Sequence, residues 1–169
     1  INILLDCGVD QSMSAASLEP YERLPPISIV LISHADLRHI GALPFVHTKF
    51  PDAALYATDP VGKIGYMTMK EAMNTQQEQG YPLYKQKDLD SAYRKLFLLE
   101  YNKRQRVETV EVIAQQSGRT LGGTNWRILL DCDEIVYAVH NDLNNGFVVE
   151  GSKLMTLNKP LVLITDAGG

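Results

Sequence analysis

A layered α/β domain is what this 169-residue chain predicts, and three patterns carry the prediction. Short apolar runs near the N-terminus have the length of buried strands. Two stretches in the middle carry helical signals, and from Val107 onward the texture is strand throughout. The length suits one domain with its own core.

Taken in order, "INILLD" reads as a buried strand closed by Cys7 and Gly8, and Val9 to Pro26 as a polar loop ending in two prolines. "ISIVLIS" (Ile27 to Ser33) is a β-branched run buried on both faces. "HIGALPFVHTKFP" reads as a short helix ended by Pro51, and "AALYAT" as a strand. Asp59-Pro60 has the signature of a helix start, and that helix runs to a stop at Gly80, with Ile64, Met67 and Met69 as core residues. A second helix is expected through "KDLDSAYRKLFLLEY", with Leu89, Tyr93, Leu96 and Leu99 on one face. "NKRQR" (Asn102 to Arg106) reads as a solvated loop, with an RNA-phosphate contact as the minority reading. "VETVEVIAQ", "TNWRILLD", "EIVYAVH" and "PLVLIT" read as strands, with "DCDE" as a hairpin turn. The "GG" of "TLGGTNW" is a turn, since no helix pattern follows it to make a phosphate cradle.

Composition narrows the function classes. Apolar residues make up 45% and charged residues 21%, ordinary globular usage, and the net charge of −4 makes the whole chain no trap for a phosphate backbone. No apolar run approaches the length needed to span a bilayer, and no signal-peptide pattern precedes the first strand. Cys7 and Cys132 are far apart and lack metal-type spacing, so reduced thiols of an intracellular protein are expected. The chain starts inside an apolar run and stops just after another, which reads as a segment of a longer protein.

The chemistry concentrates in "ISHADLRHIGALP", Ile32 to Pro44. Histidines and a carboxylate crowded after a buried strand are what a dinuclear metallohydrolase uses. Its imidazoles and carboxylates converge from strand-end loops and leave positions open for water. Here the loop reads His34-Ala35-Asp36-Leu37-Arg38-His39, and a guanidinium cannot ligate a cation. His47, further along, reads as a packing or surface histidine.

"LLDCG", "LISHADLRHIGALP", "LYATDPVGKIGYMTMKEAM", "SGRTLGGTNWRI", "EIVYAVHND" and "LVLITD" occur in an order that resembles metallo-β-lactamase-fold proteins with a β-CASP domain. That family includes the RNA-processing nucleases of messenger-RNA 3′-end formation. The resemblance implies a metallo-β-lactamase-type αββα sandwich, with residues 1–169 forming the N-terminal part of a degenerate domain that continues into a β-CASP domain. Set on the family pattern, His34 and His39 keep the first and last ligand positions. Asp36 stands for the second histidine and Arg38 for the aspartate. Ser117-Gly118-Arg119 replaces an Ala-Gly-His triplet, and His140 falls at the bridging aspartate. Asp6 matches a motif aspartate that, in the family, mainly orients the loop.

On this reading His34, Asp36, Arg38, His39, Arg119 and His140 are vestigial ligand positions that hold no metal. The two arginines are expected to pair with Asp36 or Asp6 and fill the cavity with salt bridges. The resemblance is greatest to non-catalytic large subunits of nuclear cleavage and polyadenylation factors, with non-catalytic Integrator subunits of snRNA 3′-end processing as the nearest rival. It implies a scaffold that pairs with a catalytic metallo-β-lactamase/β-CASP homologue, together with other 3′-end processing subunits and pre-mRNA, and no membrane partner. Two alternatives stay open. One is a metal-dependent RNA phosphodiesterase with altered ligands, a weak single zinc on His34, His39 and His140, with Asp142 replacing the lost aspartate after a shift of two residues. The other is a phosphate contact made by Arg38 and Arg119.

Overall fold

A computed structural model describes residues 1–80, 82–154 and 160–166. The chain divides into two compact units, Ile1–Leu98 and Leu99–Gly169.

The first unit is built on a four-stranded sheet of order β1-β2-β3-β4, formed by Ile3–Leu5, Ile29–Leu31, Ala54–Thr58 and Leu96–Leu99. β1, β2 and β3 run parallel, with Leu5 opposite Leu31 and Leu31 opposite Tyr56. Parallel neighbours need crossovers. Here these are a 3₁₀ turn (Ala15–Leu18) with α1 (Glu19–Glu22), then α2 (Leu37–Ile40) with α3 (Leu43–Lys49). α4 (Asp59–Glu78) and α5 (Gln86–Arg94) follow β3. Every residue of β2 is fully buried, as its unbroken β-branched pattern predicts. Val30, Ile32, Leu43, Leu55, Met69 and Leu89 sit at the centre of the unit's core.

Several expectations are corrected. The Val9–Pro26 loop contains the 3₁₀ turn and α1, and "HIGALPFVHTK" forms two short helices rather than one. Met69 is fully buried as expected, but Met67 is 69% exposed and Ile64 is exposed. The buried stripe of α4 runs through Val61, Gly65, Met69 and Met73, four residues apart. Met67, two residues from the stripe in either direction, turns about 200° away from it. α5 stops at Arg94, and "LFLL" is strand β4 rather than the end of the helix. An apolar run without β-branching is readable either way. The open edge of β3 decides it, with Phe97 stacked on Tyr56 at 5.3 Å between ring centroids.

The second unit is a five-stranded sheet, β5 (Arg104–Val107), β6 (Val110–Gln116), β7 (Thr124–Leu130), β8 (Asp133–Ala138) and β9 (Val162–Thr165), in sequence order. The first four form an antiparallel meander, and β9 joins β8 in parallel. "NKRQR" is not a loop: Asn102 turns with φ +62° and Arg104–Arg106 enters edge strand β5. "VETVEVIAQ" is split by a tight turn at Glu108, φ +51°, with Val107 opposite Val110. The "DCDE" hairpin forms as expected, closing Leu130 on Asp133 through Asp131 at φ +50°. Cys7 is buried and Cys132 exposed, both free thiols. Burial raises the pKa of the Cys7 thiol well above its ordinary value.

The burial pattern of α4 separates its two methionines in a denaturation experiment. Met69→Ala is expected to cost about 2–5 kcal/mol in urea unfolding, and Met67→Ala to stay within about 0.5 kcal/mol of wild type.

Candidate functional site

In the first unit the candidate site lies at the C-terminal ends of β1 and β2. Loops converge there because parallel strands end on the same side. The two loops are stitched together by backbone hydrogen bonds. Asp6 N–H donates to Leu31 O (2.9 Å), Cys7 N–H to His39 O (2.8 Å), Val9 N–H to Leu37 O (2.9 Å) and Ala42 N–H to Cys7 O (2.7 Å). Gly8 is required by this closeness, since a β-carbon there would stand 1.6 Å from the Arg38 carbonyl oxygen. The "LLDCG" and "HADLRH" segments therefore form one structural piece.

Asp6 is buried and adopts a left-handed backbone conformation, φ +59°. Its carboxylate accepts from the Ser33 N–H and the Ser33 hydroxyl, both at 2.6 Å. Ser33 Oγ, having donated its proton to Asp6, offers only lone pairs to His34 Nδ1 at 2.9 Å. His34 must then carry its proton on Nδ1. The same holds for His39, whose Nδ1 lies 2.8 Å from Asp36 Oδ2, a carboxylate oxygen that only accepts. In the neutral form both imidazoles thus keep their lone pair on Nε2, one of the two nitrogens through which histidine binds metals. The two rings are 5.0 Å apart and tilted by 48°.

The remaining positions differ in character. Asp36 caps α2: its Oδ1 accepts the Arg38 N–H at 3.0 Å while Oδ2 engages His39. Burial would raise the Asp36 pKa. The hydrogen bond and charge of His39, with the Arg38 N–H and guanidinium, outweigh burial and bring it down to about 2. For His39, burial would lower the pKa, but the Asp36 hydrogen bond and the charges of Asp6 and Asp36 raise it above its ordinary value. The Arg38 side chain is 63% exposed, with Nε 3.6 Å from Asp36 Oδ1. The expected pairing of Arg38 with Asp36 is present, but at the surface rather than within a cavity. Arg38 forms a loose surface pair, while Asp6 is engaged by Ser33.

In the second unit Ser117 is buried and its neighbour Gly118, at φ +81°, packs so tightly that a β-carbon would meet Asp142 O at 2.1 Å. Arg119 projects from this pinned turn into solvent and makes no ion pair among the described residues. His140, at φ +49°, follows β8, and its N–H donates to the Asp166 carboxylate at 3.2 and 3.3 Å. Its Nε2 is 3.7 Å from Asp166 Oδ2. The Asp142 carboxylate accepts from its own loop, from Asn144 N–H at 2.9 Å and Nδ2 at 3.2 Å. Sequence reasoning missed Asp166 as a functional position. The signal was present: an acid directly after the apolar run "LVLIT", placed as Asp6 is after "ILL". His47 packs between helices, buried, with Nε2 3.0 Å from Ser91 Oγ.

A family profile described as a metallo-β-lactamase superfamily domain matches residues 1–164. Cleavage and polyadenylation specificity factor subunit 2 of Arabidopsis thaliana is 34% identical over 173 residues, covering 98% of this chain and 23% of that protein. The probable subunit 2 of Drosophila melanogaster is 33% identical over 175 residues, covering 99% and 23%. The chain thus spans about a quarter of the length of these curated relatives. A metallo-β-lactamase of Cronobacter sakazakii, carrying a HARLDQ motif, superposes with a TM-score of 0.52 at 17% identity, covering 87% of this chain and 52% of that one. At that identity the likeness shows the fold, an α/β architecture of two sheets with helices.

Two measurements check the geometry. Asp36→Asn is expected to lower the His39 pKa, read from imidazole NMR shifts against pH; an unmoved titration would remove Asp36 as its cause. The Asp36–His39 pair should stabilise the fold above about pH 3.8 and lose that contribution as pH falls towards about 2. At the other end the contribution fades as pH rises through the raised His39 pKa. Gly8→Ala, forced against the Arg38 carbonyl, is expected to destabilise by more than about 3 kcal/mol in thermal or urea unfolding.

Proposed function

The chain belongs to the metallo-β-lactamase superfamily, and we propose that it is a non-catalytic segment of a nuclear pre-mRNA 3′-end cleavage and polyadenylation factor. Its role there is scaffolding: it pairs with a catalytic metallo-β-lactamase/β-CASP homologue and holds it among the other 3′-end processing subunits. The names of the relatives support polyadenylation over the Integrator reading.

The observation that carries the non-catalytic reading is the donor chemistry of the loop after β2. A dinuclear centre needs carboxylates to offset two dications. The loop offers one carboxylate, Asp36, which accepts from the Arg38 N–H and pairs with His39, and the position of the family's aspartate holds the permanently charged Arg38. This donor set does not fit two metal ions.

One feature favours a second reading, a single bound metal ion. His34 and His39 are locked with Nε2 as their ligand nitrogen by the Asp6–Ser33 and Asp36 contacts, as in a metal site with its supporting hydrogen bonds intact. Arg38 and Arg119 are each exposed within their own unit, and a guanidinium group binds phosphate strongly, which favours a phosphate contact by either.

Elemental analysis of the purified protein, after exposure to excess zinc and desalting, decides between these. Near-zero zinc is expected, together with unchanged assembly with the catalytic homologue for His34→Ala and His39→Ala. Stoichiometric zinc, or hydrolysis lost on His34→Ala, would overturn the non-catalytic reading. RNA crosslinking that falls with Arg119→Ala and weakens steeply with salt would establish the phosphate contact.

A further inference from the structure

The loop between β8 and β9 holds a pair of residues whose chemistry the scaffold reading leaves unused, Asn145-Gly146. Asparagine is heat-labile because its side-chain amide carbon lies within reach of the next residue's backbone nitrogen. A side chain on that next residue hinders the approach, and glycine has none. Asn145 is the one asparagine in the sequence that precedes a glycine.

The structure leaves this pair open to reaction. Asn145 and Gly146 are both exposed and belong to no helix or strand. The fold does not itself call for glycine at 146. A β-carbon there would meet nothing nearer than Val149 O at 3.5 Å, an ordinary contact, whereas one at Gly151 would stand 2.4 Å from Leu143 O. Asn145 Oδ1 accepts from Gly151 N–H at 2.8 Å. That donor polarises the carbonyl under attack and stabilises the charge that develops on its oxygen. Gly146 N–H donates to Val149 O at 2.9 Å, a bond that must open before the nitrogen can attack. Opening there is a local event in an exposed loop. The neighbouring Asn144 is placed differently: its Nδ2 donates to Asp142 Oδ1 at 3.2 Å, and Asn145 follows it rather than glycine.

We infer that Asn145 is a site of spontaneous succinimide formation, which converts it to aspartate and isoaspartate. Gly146 N gives up its proton to hydroxide and attacks Asn145 Cγ. The N–Cγ bond forms, the Cγ–Nδ2 bond breaks, and Nδ2 takes a proton from water and leaves as ammonia. Water then opens the ring. Opening at Cγ gives aspartate, and opening at the backbone carbonyl gives isoaspartate, whose main chain runs through Cγ. Either product adds a negative charge to a loop that already carries Asp142 and Glu150. Isoaspartate also lengthens the main chain by a methylene just before the Gly146–Val149 turn, so the loop changes shape as the protein ages. This chemistry is independent of the scaffold reading, and either can fail alone.

The test holds the intact polypeptide folded at neutral and at mildly alkaline pH and follows its peptides by mass spectrometry. Asn145→Asp supplies the reference mass and chromatographic position of the aspartate product. Asn145 is expected to lose its side-chain amide over time, faster at the higher pH, giving both products while Asn144 keeps its amide. Gly146→Ala is expected to keep the Asn145 amide, with thermal melting unchanged because its β-carbon has room. An Asn145 that stays intact in the folded protein and reacts only once denatured would overturn the inference. So would equal loss at Asn144 and Asn145, or loss in Gly146→Ala at the wild-type rate.

Discussion

The Asp6–Ser33 contact is the constraint on which the ligand loop depends. Two hydrogen bonds of 2.6 Å tie the first residue after β1 to the loop after β2, inside the protein. Hydrogen bonds to a charged group contribute about 1.5–3 kcal/mol each. The left-handed backbone at Asp6 is strain that a non-glycine residue keeps only when its surroundings demand it. What it secures is direction: Ser33, fixed by Asp6, sets the tautomer of His34.

The second unit repeats the device. Asp166 follows β9 and holds the backbone N–H of His140 after β8, again between parallel neighbours; here the left-handed residue is the donor, His140, rather than the acid. The geometry of parallel pairing accounts for both. The two strands end on the same side, so an acid after one can reach an N–H in the loop after the other.

The ligand positions show which parts of such a loop can change while it still folds. Asp36 stands where a metal-binding histidine is expected, yet it is held locally as the cap of α2 and the partner of His39. Arg38 extends into water, where its charge is screened, so it needs no buried counterion. The hydrogen bonds that orient His34 and His39 are therefore kept beside the altered Asp36 and Arg38 positions.

Local pattern in the sequence was enough for the buried strand Ile29–Leu31, the start of the long helix at Asp59-Pro60, the hairpin at Asp131 and the motif loop from His34 to His39. Each depends on residues near in the chain. Tertiary structure alone decided the rest. Leu96–Leu99 became a strand because β3 offered an edge, and Met67 faced water because the core met the other side of α4. Arg38 stayed at the surface, and Asp166 found its histidine, because their partners lie on other loops or in solvent. Periodicity records which residues share a face; only the packed neighbours determine what that face meets.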